Sequence, residues 1–137
     1  FEQNKIMVIK FEEFIKNRLL GNPQILKMPH MEVSIVETIY LCQYPAINGI
    51  EVLDLRKNFI GDEGLEAIAQ SPFLGKLREL DLRSNGITRW GVKTLAESKT
   101  LKCLEKIDLR VNKLGKRWEE KLKEIGNFPK LKEIKTI

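Results

Sequence analysis

Leu53-Asp54-Leu55-Arg56 recurs 27 residues later as Leu80-Asp81-Leu82-Arg83, again as Ile107-Asp108-Leu109-Arg110, and in weakened form as Ile134-Lys135-Thr136. Asn58, Asn85 and Asn112 follow the first three phrases at one offset, and Ile50, Leu77, Leu104 and Leu131 precede all four at another. A fixed period of this length marks a solenoid, in which each unit buries its apolar face only against its neighbours. In Leu-x-Leu the two apolar side chains fall on one side of a strand, and the Asp and Arg fall on the other. Leu53, Leu55, Leu80, Leu82, Ile107 and Leu109 are therefore expected in the core, beside Ile50, Leu77 and Leu104. An asparagine amide at the turn after each strand is suited to satisfying backbone groups of adjacent coils.

Helical spacing follows each phrase: Leu65, Ile68 and Ala69 in one unit, and Val92, Leu95 and Ala96 in the next. Strand, turn, helix and return loop, repeated, predict a parallel sheet on a concave side and helices on a convex side, joined by right-handed crossovers. Asn58 to Ala69 and Asn85 to Ala96 keep Gly64 and Gly91, Leu65 and Val92, and Ala69 and Ala96 in phase.

This pattern resembles the leucine-rich repeat, LxxLxLxxN, and its length and helical second half resemble the ribonuclease-inhibitor-like class. The resemblance covers residues 50–137 and, more weakly, 23–49. It implies an α/β fold, a right-handed leucine-rich-repeat solenoid with a parallel concave sheet, convex helices and an N-terminal helical cap. It is nearly silent on biochemical activity, because function sits on the exposed faces of such a scaffold.

Residues 1–49 are expected to form the helical cap with a degenerate first repeat, and residues 50–137 the repeats, three full and a fourth truncated. One period back from Leu53 and Leu55 stand Leu26 and Met28, so Gln24 to Met28 is a candidate first strand. Glu32 to Tyr44 would be its helix, with Val33, Val36, Ile39, Tyr40 and Tyr44 turned inward. Asn4 to Leu20, with Ile6, Ile9, Phe11, Phe14, Ile15 and Leu19, reads as an amphipathic helix ended by Gly21-Asn22-Pro23. It would cover the end of the core, as terminal units of solenoids must; a helical docking element for another protein is the functional alternative.

The 137 residues, 42% hydrophobic and 31% charged, suit one soluble domain with a real core. No run approaches the ~18 apolar residues that span a bilayer, and no signal-like segment opens the chain. A first residue Phe1 rather than Met is what a fragment or processed product would show. Cys42 and Cys103 give no disulfide framework and read as small buried thiols in a reducing interior. The expected location is the cytoplasm, delivery into another cell being the alternative.

No constellation for catalysis is present. His30 lacks partners for zinc, no nucleophile has a base and orienter, and phosphate-binding glycine motifs are missing. Gly61-Asp62-Glu63-Gly64 sits at a repeat position, where glycine eases a turn and acids favour a helix N-terminus. Neither enzyme activity, metal nor cofactor is expected.

The concave face carries the candidate site: Asp54, Asp81 and Asp108 in one column, Arg56, Arg83 and Arg110 beside it, and Glu79 and Lys106 in a third column with Val52 and Glu133. Such a lattice keeps an exposed sheet soluble, each pair being worth only ~0–1 kcal/mol, or specifies a partner. Residues 98–137 carry six more basic than acidic residues. Lys116, Arg117 and Lys121 belong to this excess, but its lysines are interspersed with acids and lack a nucleic-acid motif. In the final unit Trp118 stands where Gly64 and Gly91 stood, and Glu119 replaces Leu65 and Val92; Leu122 and Ile125 are expected inward. Trp90 is expected to pack on the neighbouring coil. The expected function is a monomeric protein-interaction module that binds a protein through the concave face, with nucleic acid disfavoured. The rivals are a regulatory or targeting segment of a larger enzyme or effector, and a basic C-terminal surface for nucleic acid or anionic lipid.

Overall fold

Strands recur at the interval the phrase sets. The structure, a computed structural model, describes residues 2–137. Its strands are β1 (Ile25–Lys27), β2 (Val52–Asp54), β3 (Glu79–Asp81), β4 (Lys106–Asp108) and β5 (Glu133–Lys135). They form one parallel sheet in the order β1-β2-β3-β4-β5, with Leu26, Leu53, Leu80, Ile107 and Ile134 in one register row. The helices are α1 (Glu2–Gly21), α2 (Ile35–Cys42), α3 (Gly61–Gln70), α4 (Arg89–Ala96) and α5 (Arg117–Ile125), with a 3-10 turn over Pro45–Gly49. Among the described residues no helix is long and apolar enough to cross a membrane.

The core is a stack of rows, each 27 residues apart. Leu53, Leu80 and Ile107 lie in one row and Leu55, Leu82 and Leu109 in the next, all buried against the helices. Leu65 and Val92, Ile68 and Leu95, and Ala69 and Ala96 face them from α3 and α4. Two further rows complete the packing: Ile47, Leu74, Leu101 and Phe128 under the return loops, and Ile60 and Ile87 at the strand-to-helix turns. Full burial of such a side chain contributes about 1.5–3 kcal/mol, so stability accumulates unit by unit.

The turn after each strand is held by asparagine. Asn58 Nδ2 donates to the carbonyls of Met28 and Leu55, both at 2.8 Å, while its Oδ1 accepts the Met31 and Val33 N–H groups at 3.0 Å. Asn112 repeats the arrangement in full, its Oδ1 accepting the Asn85 and Ile87 N–H groups at 2.9 Å, and Asn85 repeats it in part, donating to the Leu55 carbonyl at 2.8 Å and accepting the Ile60 N–H at 3.4 Å. The residue before each asparagine is left-handed: Lys57, Ser84 and Val111 have φ of 57°, 54° and 58°, as does His30 at 54° in the first unit.

Helices are stapled to their neighbours by residues at repeat positions. Asp62 on α3 accepts the N–H of Thr88 at 2.8 Å and its hydroxyl at 2.6 Å, and Thr88 in turn caps α4. Ser71 and Ser98 donate to the last carbonyls of the preceding helices, Cys42 and Ala69. A Cβ on Gly91 would collide with the Asp62 carboxylate, so glycine is what lets α4 sit close on α3. Trp118 holds the equivalent place on α5, which packs on α4 much less closely than α4 packs on α3.

Several inward assignments are corrected. On α2 the buried residues are Thr38, Leu41 and Cys42, while Val36 and Ile39 are exposed and Tyr40 and Tyr44 half-buried. Ser34 caps the helix in a box with Glu37, and the resulting phase aligns Thr38, Leu41 and Cys42 with Leu65, Ile68 and Ala69 one period on. Repeat register thus outweighs local periodicity. Among the described side chains of α1 only Phe11 and Ile15 are buried; Ile6 and Ile9 are exposed because the helix runs past the first unit. Ile125 is exposed, since its equivalents Ser71 and Ser98 face the preceding helix's end rather than the core. Cys42 is buried, and burial pushes its thiol up to about 12; Cys103 is only half-buried, in the return loop.

Candidate functional site

The Leu-x-Leu alternation turns one set of side chains into the core and leaves the other on the open face of the sheet. That face carries all eight residues singled out from the sequence. Along it run Val52, Glu79, Lys106 and Glu133 in one column, and Lys27, Asp54, Asp81, Asp108 and Lys135 in the next. Arg56, Arg83 and Arg110 follow two residues beyond the aspartates. All of these except Lys135 and Arg110 line a shallow concavity of about 340 Å³.

Charge on this face is internally matched. The Arg83 guanidinium grips Asp81 through Nε and Nη2 at 3.0 and 2.6 Å, and its Nε lies 3.4 Å from Asp108 on the next strand. Arg110 holds Asp108 at 3.0 and 2.7 Å in the same two-pronged manner, and Arg56 stands 3.5 Å from Asp54. Lys106 lies 3.6 Å from Glu79 across the β3–β4 register. Hydrogen bonding to Asp81 raises the Arg83 pKa above its ordinary value, and Asp108 does the same for Arg110. Burial works against ionisation of Asp108, but the Arg110 side chain and backbone N–H outweigh it and hold the carboxyl below the usual range.

The aspartates do more than decorate the surface. Each accepts the backbone N–H of the arginine two residues on, at 3.1 Å for Asp54, 3.2 Å for Asp81 and 3.2 Å for Asp108. Asp54 is buried outright. The column therefore fixes where each strand ends, which a simple in/out reading of the phrase misses.

A second charge line lies along the return loops, just before the strands. Arg78 joins Glu51 at 3.1 Å to Glu105 at 2.7 Å, and Lys132 closes on Glu105 at 3.0 Å. Glu51, Arg78, Glu105 and Lys132 are spaced by the same 27 residues with alternating sign, so their signal was present in the sequence. Arg78 first, and then Lys132, lowers the Glu105 carboxyl to about 2.

Trp90 does not pack on a neighbouring coil. It is 61% exposed, with the Arg89 guanidinium 5.3 Å and the Lys93 ammonium 4.8 Å from its ring centroid. Among the described residues no group of three or more His, Cys, Asp or Glu is placed to hold a metal ion.

No curated protein matches the chain. The family model for the leucine rich repeat matches residues 50–69 and 76–96, each match running from just before a strand into the helix that follows. Repeats of this family generally mediate protein–protein interaction and are typically non-enzymatic. The recurring phrase, the in-register parallel strands and the two matched segments show that the chain carries leucine-rich repeats.

Proposed function

We propose that the chain is an interaction module that binds a protein partner through the open face of its sheet, with Asp54, Arg56, Glu79, Asp81, Arg83, Lys106, Asp108 and Arg110 as the contact residues. The observation that carries this reading is the order of the grid. Arg83 and Arg110 are clamped by carboxylates on their own strands, and Arg83 is also held from the next. Their side chains have therefore given up much of the rotamer freedom that a partner would otherwise have to freeze. A face so arranged favours specificity of register over raw affinity, since charges already paired gain little from new partners.

Glu79 and Lys106 provide the test, because they oppose each other across two strands. Exchanging them, Glu79→Lys with Lys106→Glu, keeps the ion pair and the net charge but inverts the pattern shown to a partner. With the partner recovered by pull-down, the exchange is expected to weaken binding by at least about tenfold while the unfolding midpoint stays unchanged. Binding at wild-type strength would remove the open face as the contact surface.

A further inference from the structure

Strand β1 leaves one edge of the sheet open. In a parallel ladder alternate residues of a strand bond to opposite sides. Toward β2 it is the Gln24 carbonyl and the Met28 N–H that pair, accepting from Val52 at 3.1 Å and donating to Asp54 at 2.8 Å. The main-chain groups of Ile25 and Lys27 therefore point the other way. Among the described residues no hydrogen bond reaches the N–H or C=O of either one from that side. The opposite edge is treated differently: Glu119 takes up the Thr136 N–H beside β5, and no described side chain does the same at β1.

Helix α1 ends beside this edge. The chain leaves it through Gly21-Asn22-Pro23, with the Asn22 N–H donating to the Arg18 carbonyl at 3.0 Å. A groove of about 320 Å³ is lined from both elements by Asn17, Arg18, Gly21, Asn22, Ile25 and Lys27, so it holds two cations, two amides and no carboxylate. Neither cation forms an ion pair among the described residues. Arg18 lies over the Phe14 ring, 4.8 Å from its centroid. Lys27 stands where β2, β3 and β4 carry Asp54, Asp81 and Asp108, and it makes no pair with Asp54, its own register partner. The repeat puts an acid at this position, and the first unit replaces it with a base.

We propose that this edge and groove dock an extended, acidic segment of a protein partner, which adds a sixth strand beside β1 and sets carboxylates against Arg18 and Lys27. An edge that offers donors and acceptors in alternation is matched by another peptide backbone, with main-chain pairing giving affinity and the flanking side chains selectivity. A phosphate backbone only accepts, and it would leave the Ile25 and Lys27 carbonyls unmet. Charge complementarity selects the acid, because two unpaired cations share a groove without carboxylates. A second copy of this edge is disfavoured, since it would add another Lys27 to the same seam. The site lies at the end of the sheet, apart from the eight charged residues of the open face, and stands without that reading.

The experiment uses the full chain and fluorescein-labelled short peptides in which Glu alternates with Val. Binding is read by anisotropy, and amide exchange followed by NMR reads the edge directly. Saturable binding is expected, with slower exchange at the Ile25 and Lys27 N–H groups and no such slowing at Ile134 on β5. Arg18→Glu with Lys27→Glu is expected to weaken binding at least about tenfold. Ile25→Pro removes an edge donor that the ladder to β2 does not use, and is expected to weaken it by a similar factor. The charge-matched pair Lys76→Glu with Lys99→Glu, in the return loops, is expected to change it far less. Circular dichroism and thermal melts establish whether each variant keeps the fold, and the exchange measurement on the unaltered chain decides the question where one does not. No saturable binding, binding without slowed exchange at Ile25 and Lys27, equal loss in the return-loop control, or saturable binding of poly(U) RNA but of no peptide would each overturn the proposal.

Discussion

At the scale of single residues, the asparagines and the residues before them decide the turn. Asn85 Nδ2 donates to the Leu55 and Arg83 carbonyls at 2.8 and 3.1 Å from a buried position. Asn85→Ala leaves these acceptors short of a partner and is expected to cost about 1–3 kcal/mol, read as a lower denaturant midpoint; wild-type stability would show that water replaces the amide. Val111 points the other way. It is a β-branched residue at φ 58° and 75% exposed, so it bears left-handed strain with little packing to lose. Val111→Asn is expected to raise stability by about 1 kcal/mol, and an unchanged or lower midpoint would contradict that. The asparagine position was legible from its fixed offset after each phrase. The left-handed residue beside it was not, because Lys57, Ser84 and Val111 share no chemistry that announces a positive φ. The backbone duty of Asp54, Asp81 and Asp108 was equally hidden, since an outward column looks the same whether it meets solvent or an N–H two residues on.

At the scale of elements, β5 is an edge of the sheet among the described residues. Met28, Leu55, Leu82 and Leu109 each donate their N–H to the next strand, onto Asp54, Asp81, Asp108 and Lys135. Thr136 is the next in that series, and its N–H goes instead to Glu119 Oε1 on α5 at 2.9 Å. The two departures from pattern, Glu119 for Leu65 and Val92 and Thr136 for the inward leucines, are thus one compensated pair. Glu119→Leu restores the repeat consensus but strips this edge donor of its acceptor, and unpaired edges recruit other chains. The variant is expected to lose about 1–3 kcal/mol and to self-associate through β5, as sedimentation velocity would show. A monomer of full stability would refute the edge role of Glu119. Strands β2 to β5 and helices α3 to α5 were readable because several positions hold one phase together. On α2 the apolar residues Val36, Ile39 and Tyr40 suggested the wrong inward face, for a single amphipathic window carries no information about the neighbour that fixes its rotation.

At the scale of the whole molecule, a charge line runs across the units from Glu51 to Lys132, and pH probes it. The Glu105 carboxyl, held by Arg78 and then Lys132, lies below the value of a free glutamate, at about 2. Its contribution is therefore complete above about pH 4.3 and is lost as pH falls from there toward 2. Glu105→Gln is expected to flatten that part of the profile of urea midpoint against pH, and a wild-type profile in the variant would show that the return-loop line is idle. The repeat architecture was legible from one recurring phrase, and so was the grid of eight charges on the open face. What the grid binds was not, because a solenoid encodes its own stacking in every unit and its partner only in the outward residues, where stability imposes no pattern. The most direct test of the open face places a photo-crosslinking amino acid at Lys106 on β4 or, separately, at Glu66 on α3, and irradiates each variant in a lysate from its source. A discrete crosslinked protein is expected from position 106, suppressed by an excess of unlabelled wild-type chain, and none from position 66; a crosslink from position 66 alone would move the binding surface to the helices.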